Sequence, residues 1–207
     1  MFKRTIQAFA MGCAFVATDA AAQDQSMSFF ITSTNPGDGG NLGGLAGADA
    51  HCTALAEAAG VTGKVWAAYL SSTDENARDR IGTGPWLNAK GVVVAENVDQ
   101  LHDAAANSLS KENSLSESGA VINGRGDSPN RHDILTGSSA DGRLQGPACE
   151  NWTSNSSDSS AMVGHHDRTG GGSDPTSWLA AHPSRGCSLE NLRGTGGDGL
   201  YYCFAKN

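Results

Sequence analysis

The chain is poor in basic residues, in long apolar runs and in the short motifs that mark the common enzyme classes. Lysine and arginine number 14 against 22 acids, a formal charge of −8. An excess of that sign argues against nucleic acid, a heparin-like polyanion or an anionic membrane as the main partner. Beyond the N-terminal leader no segment approaches the roughly 20 apolar residues of a membrane helix, so no membrane span is expected. No GxSxG or HExxH stretch occurs, and the run "NPGDGGNLGG" lacks the GxGxxG spacing. Neither a nucleophile elbow, a zincin helix nor a dinucleotide loop is predicted. The cysteines form no CxxC pair, which speaks against a structural zinc cage.

What is present begins with a secretory leader. Lys3 and Arg4, the apolar "TIQAFAMGCAFVA" and Ala20-x-Ala22 read as a signal peptide over residues 1–22, leaving a single domain over 23–207. Loss of the leader makes the charge one unit more negative than −8. It also leaves Cys52, Cys149, Cys187 and Cys203, an even set that in an exported chain predicts a disulfide framework with three possible connectivities. The expected location is secreted or periplasmic. With 27 glycines the domain should be rich in loops.

The regular elements predicted are few. "SFFITST" reads as a strand, "AGADAHCTALAEAAG" as a helix with Cys52 toward the core, and "KVWAAYLSST" and "GVVVA" as strands. "NARDRIG" gives one helical turn and "NVDQLHDAAANSL" a short helix capped by Asn97. After about residue 110 we expect turns and short strands, closed by a central strand in "GLYYCFA".

The phrases "DAHCTALAEAAGVTGKVWAAYLSST", "HDILTGSSADGR", "CENW" and "GLYYCFA" follow one another in an order that resembles the endostatin domain of collagens XV and XVIII. The likeness spans Phe29 to Ala205. It implies an α+β, C-type lectin-like fold, loop-rich, with two nested disulfides pairing Cys52 with Cys203 and Cys149 with Cys187. In the chain-entropy model the longer closure stabilises by about 4 to 5 kcal/mol. The departures are as informative. Endostatin is basic and this chain is acidic. The family's zinc histidines lie near the domain's N-terminus, and "QDQSMSFF" has none. The Glu-Pro-Asn or Gln-Pro-Asp and Trp-Asn-Asp calcium motifs of sugar-binding lectins are missing. The scaffold is implied; the ligand chemistry is not.

Polar residues that could make a site gather in the second half. Arg125, Asp127, Asn130, His132 and Asp133 come from one segment, and Trp178, His182 and Arg185 from another; all are expected to bind ligand at the loop end of the fold. Between them, "MVGHHD" read as a strand puts His165 and Asp167 on one side and His166 on the other. His165 and Asp167, with His132 or His182, would suit a zinc-like ion. A divalent metal is thus the one cofactor considered. The plainer alternative is that these His and Asp side chains tie irregular loops together. Trp178 is the tryptophan expected to offer a face to a glycan, whereas Trp66, Trp86 and Trp152 are expected to be core. Arg125-Gly126-Asp127 matches an adhesion tripeptide but runs into a strand-like stretch, so Arg125 and Asp127 are expected to be held by loop neighbours. The function expected is that of a secreted, non-enzymatic binding module for a glycan or an extracellular protein ligand. A metal-dependent hydrolase and a structural or adhesive protein are the alternatives.

Overall fold

The computed structural model describes residues 24–206, so the signal-peptide reading of residues 1–22 lies outside it. Its strands are β1 (Phe29–Ile31), β2 (Trp66–Ala68), β3 (Trp86–Leu87), β4 (Val93–Ala95), β5 (Asp133–Leu135), β6 (Met162–His165), β7 (His182–Pro183) and β8 (Gly197–Ala205). The right-handed helices are α1 (Gly44–Ala58), α2 (Ala77–Arg80), α3 (Val98–His102) and a C-terminal one at Leu189–Thr195.

Strand β8 organises everything else. Its sequence "GLYYCFA" is apolar at every position, and side chains alternate between faces along a strand, so both faces need cover. Tyr201, Cys203 and Ala205 enter one core with Ala48, Cys52 and Ala56 of α1. Leu200, Tyr202 and Phe204 enter a second core with Phe29, Tyr69, Trp86 and Trp178. Strands β1 and β2 both pair antiparallel with Cys203 and Phe204, and so flank β8 on opposite edges. Strand β5 runs parallel to its first half, and β6 and β7 continue the sheet beyond β5. The expected closing strand is therefore central, and the molecule is mixed α/β.

Helix α1 buries Ala48, Cys52 and Ala56, a stripe of small residues four apart that lets it lie close to the sheet. Cys52 is bonded to Cys203 and Cys149 to Cys187, nested as expected. The buried Arg80 of α2 ties the first helix down by pairing with Asp49 at 2.9 Å and Glu75 at 3.1 Å and donating to the Ala68 carbonyl of β2.

Two features depart from the expected turns and short strands. Ser188 accepts from the Asn191 amide at 3.1 Å and starts the C-terminal helix. Ala148–Trp152 forms a left-handed turn, with φ between 45° and 67° at five successive residues, none of them glycine. Each such residue costs on the order of 1 kcal/mol. The turn is held by the Cys149 bond, by Trp152 Nε1 donating to the Ser71 carbonyl at 2.9 Å, and by Asn151, whose amide both accepts from and donates to Thr73. Trp66, Trp86 and Trp152 are core, as expected. Among the described residues no helix is long and apolar enough to cross a membrane.

Candidate metal centre

Strand register builds the site. Asp133 on β5 is the cross-strand partner of His165 on β6, and Val163 of β6 is the partner of His182 on β7. His165 and Val163 are two apart and share a face, so His182 sits diagonally from His165 on the same side of the sheet. His132 precedes β5; the Asn130 side chain accepts its amide at 3.2 Å and steers the chain into the strand.

Three of these side chains, His132, Asp133 and His165, bring donor atoms within 4.8 Å of one another, and His182 stands beside them. Asp133 Oδ1 lies 3.1 Å from His132 Nε2, 3.3 Å from His165 Nε2 and 3.7 Å from His182 Nε2. His165 Nε2 and His182 Nε2 are 3.0 Å apart. The Asp133 carboxylate is 2% exposed, and neither of its oxygens accepts a hydrogen bond.

Proton positions follow from the outer contacts. His165 Nδ1 is 2.8 Å from the Pro175 carbonyl and His182 Nδ1 is 3.1 Å from the Pro183 carbonyl. A carbonyl only accepts, so each Nδ1 carries the hydrogen and each neutral ring turns a bare Nε2 lone pair inward. Two such lone pairs at 3.0 Å repel; a proton on one ring, making an N–H···N hydrogen bond, or a metal ion shared by both relieves this. His132 Nδ1 faces Asp167 Oδ1 at 3.4 Å, an outer contact of the kind that orients an imidazole. A tetrahedral zinc with bonds near 2.05 Å has donor edges of about 3.3 Å. The separations from Asp133 to the three rings and from His165 to His182 run from 3.0 to 3.7 Å, and the His132, Asp133 and His165 donors all lie within 4.8 Å of one another.

Electrostatics show that His165 Nε2 readily takes a positive partner, a proton or a metal ion. Burial pushes the His165 imidazole down, but the Asp133 carboxylate and the Pro175 carbonyl outweigh it and its pKa ends raised. Burial pushes the Asp167 carboxyl up, but His132 and the Arg125 amide hold it well below the usual range. The backbone is shaped to the rings as well. Gly170, at φ +140°, would put a Cβ 2.7 Å from the His165 ring, and Gly196, at φ +141°, one 3.1 Å from both Asp133 and His132.

The expected site residues divide. His132, Asp133 and His165 converge, with His182 beside them. Asp167 does not join them as a donor, because its carboxylate is engaged by His132 and by the Arg125 amide at 2.6 Å; Asp133 holds the place expected of it. His166 turns the other way and bonds the Asn123 carbonyl, as the alternation predicts. Arg125, Asn130 and Arg185 line, with His132 and His182, an open cleft of about 550 Å³. Asp127 stays outside it, fastened to Lys111 at 2.6 Å and to the Gly124 amide. The expectation for the Arg-Gly-Asp tripeptide holds for Asp127 and for the Arg125 backbone, whereas the Arg125 side chain is exposed and has no partner among the described residues. Trp178 corrects a further expectation. It is 1% exposed and packs on Tyr69 and Tyr202, so it offers no face to a glycan. The loop carrying it presses its backbone on Gly164, where any Cβ would collide with the Trp178 carbonyl. Gly170 and Gly196 went unnoticed in the sequence, although the "TGGG" and "GTGG" runs mark them.

Comparison with protein-family models finds no match for this chain, and comparison with the curated proteins finds none either.

Proposed function

We propose that the protein is an exported, metal-dependent binding module. A divalent transition-metal ion is held by Nε2 of His132, His165 and His182 and Oδ1 of Asp133, and a polar ligand binds in the cleft beside it. The observation that carries this reading is the buried Asp133 carboxylate, free of hydrogen bonds while three imidazole nitrogens face it. Nitrogen donors with one carboxylate suit zinc, nickel, copper or iron better than calcium or magnesium. The endostatin-like, C-type lectin-like scaffold belongs to the same proposal and is supported by the nested disulfides and the central last strand. The disulfides likewise support an oxidising, exported location.

Binding is preferred to hydrolysis for a specific reason. A hydrolytic zinc keeps an open position and a base close to it. In this reading His182, beside the three donors His132, Asp133 and His165, takes the fourth position, and the Asp167 carboxylate is engaged with His132 and the Arg125 amide rather than free to act as a base.

The test is elemental analysis of untagged protein desalted after exposure to zinc, nickel, copper or iron(II). One ion per chain is expected in the wild type and none in Asp133→Asn or His165→Gln. Wild-type protein that retains none of the four metals overturns the reading.

A further inference from the structure

The cleft beside the cluster holds an unusual pair of cations for so acidic a chain. Among the described arginines, Arg78, Arg80, Arg131, Arg143 and Arg193 pair with carboxylates, and Arg168 donates to Asn107 and to the Ala104 carbonyl. The side chains of Arg125 and Arg185 have no partner among the described residues, and both line this cleft. No carboxylate lines it with them. The backbone of each is nonetheless fixed: the Arg125 amide donates to Asp167 at 2.6 Å, and the Arg185 amide donates to Thr195 Oγ1 at 3.0 Å. The same Asp167 that anchors Arg125 faces His132, so the first arginine and the metal cluster are positioned by one carboxylate.

We infer that the cleft recognises a tetrahedral oxyanion, phosphate or sulfate, free or as the monoester end of a larger molecule; this rests on the metal reading above. A metal ion at the His132 and His182 wall and the guanidiniums of Arg125 and Arg185 give three cationic groups around one space. A carboxylate has two oxygens and cannot serve all three, whereas a tetrahedral anion presents one oxygen to each. Guanidinium forks match such oxygens in geometry and charge. The absence of an exposed aromatic platform, with Trp178 buried, fits recognition through charge rather than through stacking on a sugar ring. Gly171 and Gly172 form part of the wall, leaving room for the ligand beside His182.

Calorimetric titration of zinc-loaded, desalted protein with inorganic phosphate, sulfate, phenyl phosphate and acetate tests this at low ionic strength. Metal content and melting temperature are measured on the same samples. The tetrahedral anions should bind and acetate should bind roughly tenfold more weakly or not at all. Arg125→Gln and Arg185→Gln should each weaken phosphate roughly tenfold, with metal content and melting unchanged because both side chains are exposed. Tighter binding of phenyl phosphate than of phosphate supports an ester as the natural ligand, and the reverse supports the free anion. Wild-type protein that holds its metal yet binds no tetrahedral anion, acetate that binds as tightly, or arginine variants that bind like the wild type overturn the inference and leave the metal reading standing. Protein that holds no metal removes both.

Discussion

Replacing Asp133 by Asn is expected to move stability in opposite directions with and without metal. At pH 8 in chelator the wild type keeps a carboxylate that is 2% exposed, has no well-directed hydrogen bond and faces three imidazole nitrogens. A buried charged or polar group left in that state costs about 1–3 kcal/mol. The asparagine amide removes the charge and can donate a hydrogen to a bare Nε2. For a domain of this length 1 kcal/mol moves the melting temperature by about 2–4 °C, so the chelated variant should melt roughly 2–12 °C above the chelated wild type. With zinc at a hundred times its dissociation constant the wild type gains about 2.7 kcal/mol, or roughly 5–10 °C, and the variant gains nothing. Scanning calorimetry of both proteins, with chelator and with zinc, gives the four numbers. A variant that melts below the wild type in chelator and still responds to zinc as the wild type does would refute the reasoning about Asp133.

His102 predicts a pH dependence in a different part of the molecule. Burial pulls its pKa below the ordinary 6.5. Its Nδ1 donates to the Val98 carbonyl at 2.7 Å, leaving Nε2 to accept from Tyr69 at 2.6 Å. With the folded pKa depressed, the unfolded chain takes up the proton first. The stability contributed is complete above about pH 6.5 and is lost as pH falls toward the lower folded value. His102→Gln should flatten that part of the profile in denaturant titrations between pH 7 and 5, and an unchanged slope counts against it. For the left-handed turn, Asn151→Ala should cost about 2 kcal/mol, losing both bonds to Thr73 and the tolerance of asparagine for positive φ. Asn151→Gly loses only the bonds and should be the milder variant; urea denaturation giving the reverse order would remove backbone strain from the account.

The sequence reached the outline of the fold and part of the site, and the reasons differ from residue to residue. The last strand was legible because "GLYYCFA" can only be buried on both faces, and α1 because its small residues recur every fourth position. His165 and His166 were correctly sent to opposite sides, since alternation is local to a strand. Which carboxylate His165 meets is not local. It depends on Asp133 pairing across to His165, a register set by contacts that β5 makes with β8 more than sixty residues away. Trp178 was misread because its glycine-rich surroundings look exposed, and nothing nearby announces Gly164 as the floor on which its loop lies. The left-handed turn has no sequence signal of its own; a disulfide and a buried tryptophan impose it from outside. The C-terminal helix did carry a signal, Ser188 followed by Leu189 and Leu192, which the surrounding glycines obscured.

The bond between Cys52 and Cys203 also decides what a protease can do to this molecule. The two cysteines are 151 positions apart, so almost every surface loop lies inside the ring they close. A single cut anywhere in that ring, for instance in the exposed turn from Arg125 to Pro129, leaves two fragments still joined covalently. The pieces would part on a reducing gel and run together on a non-reducing one. Exposed to a protease, such a chain is nicked and still keeps His132, His165 and His182 in one particle, its damage invisible until the disulfide is reduced.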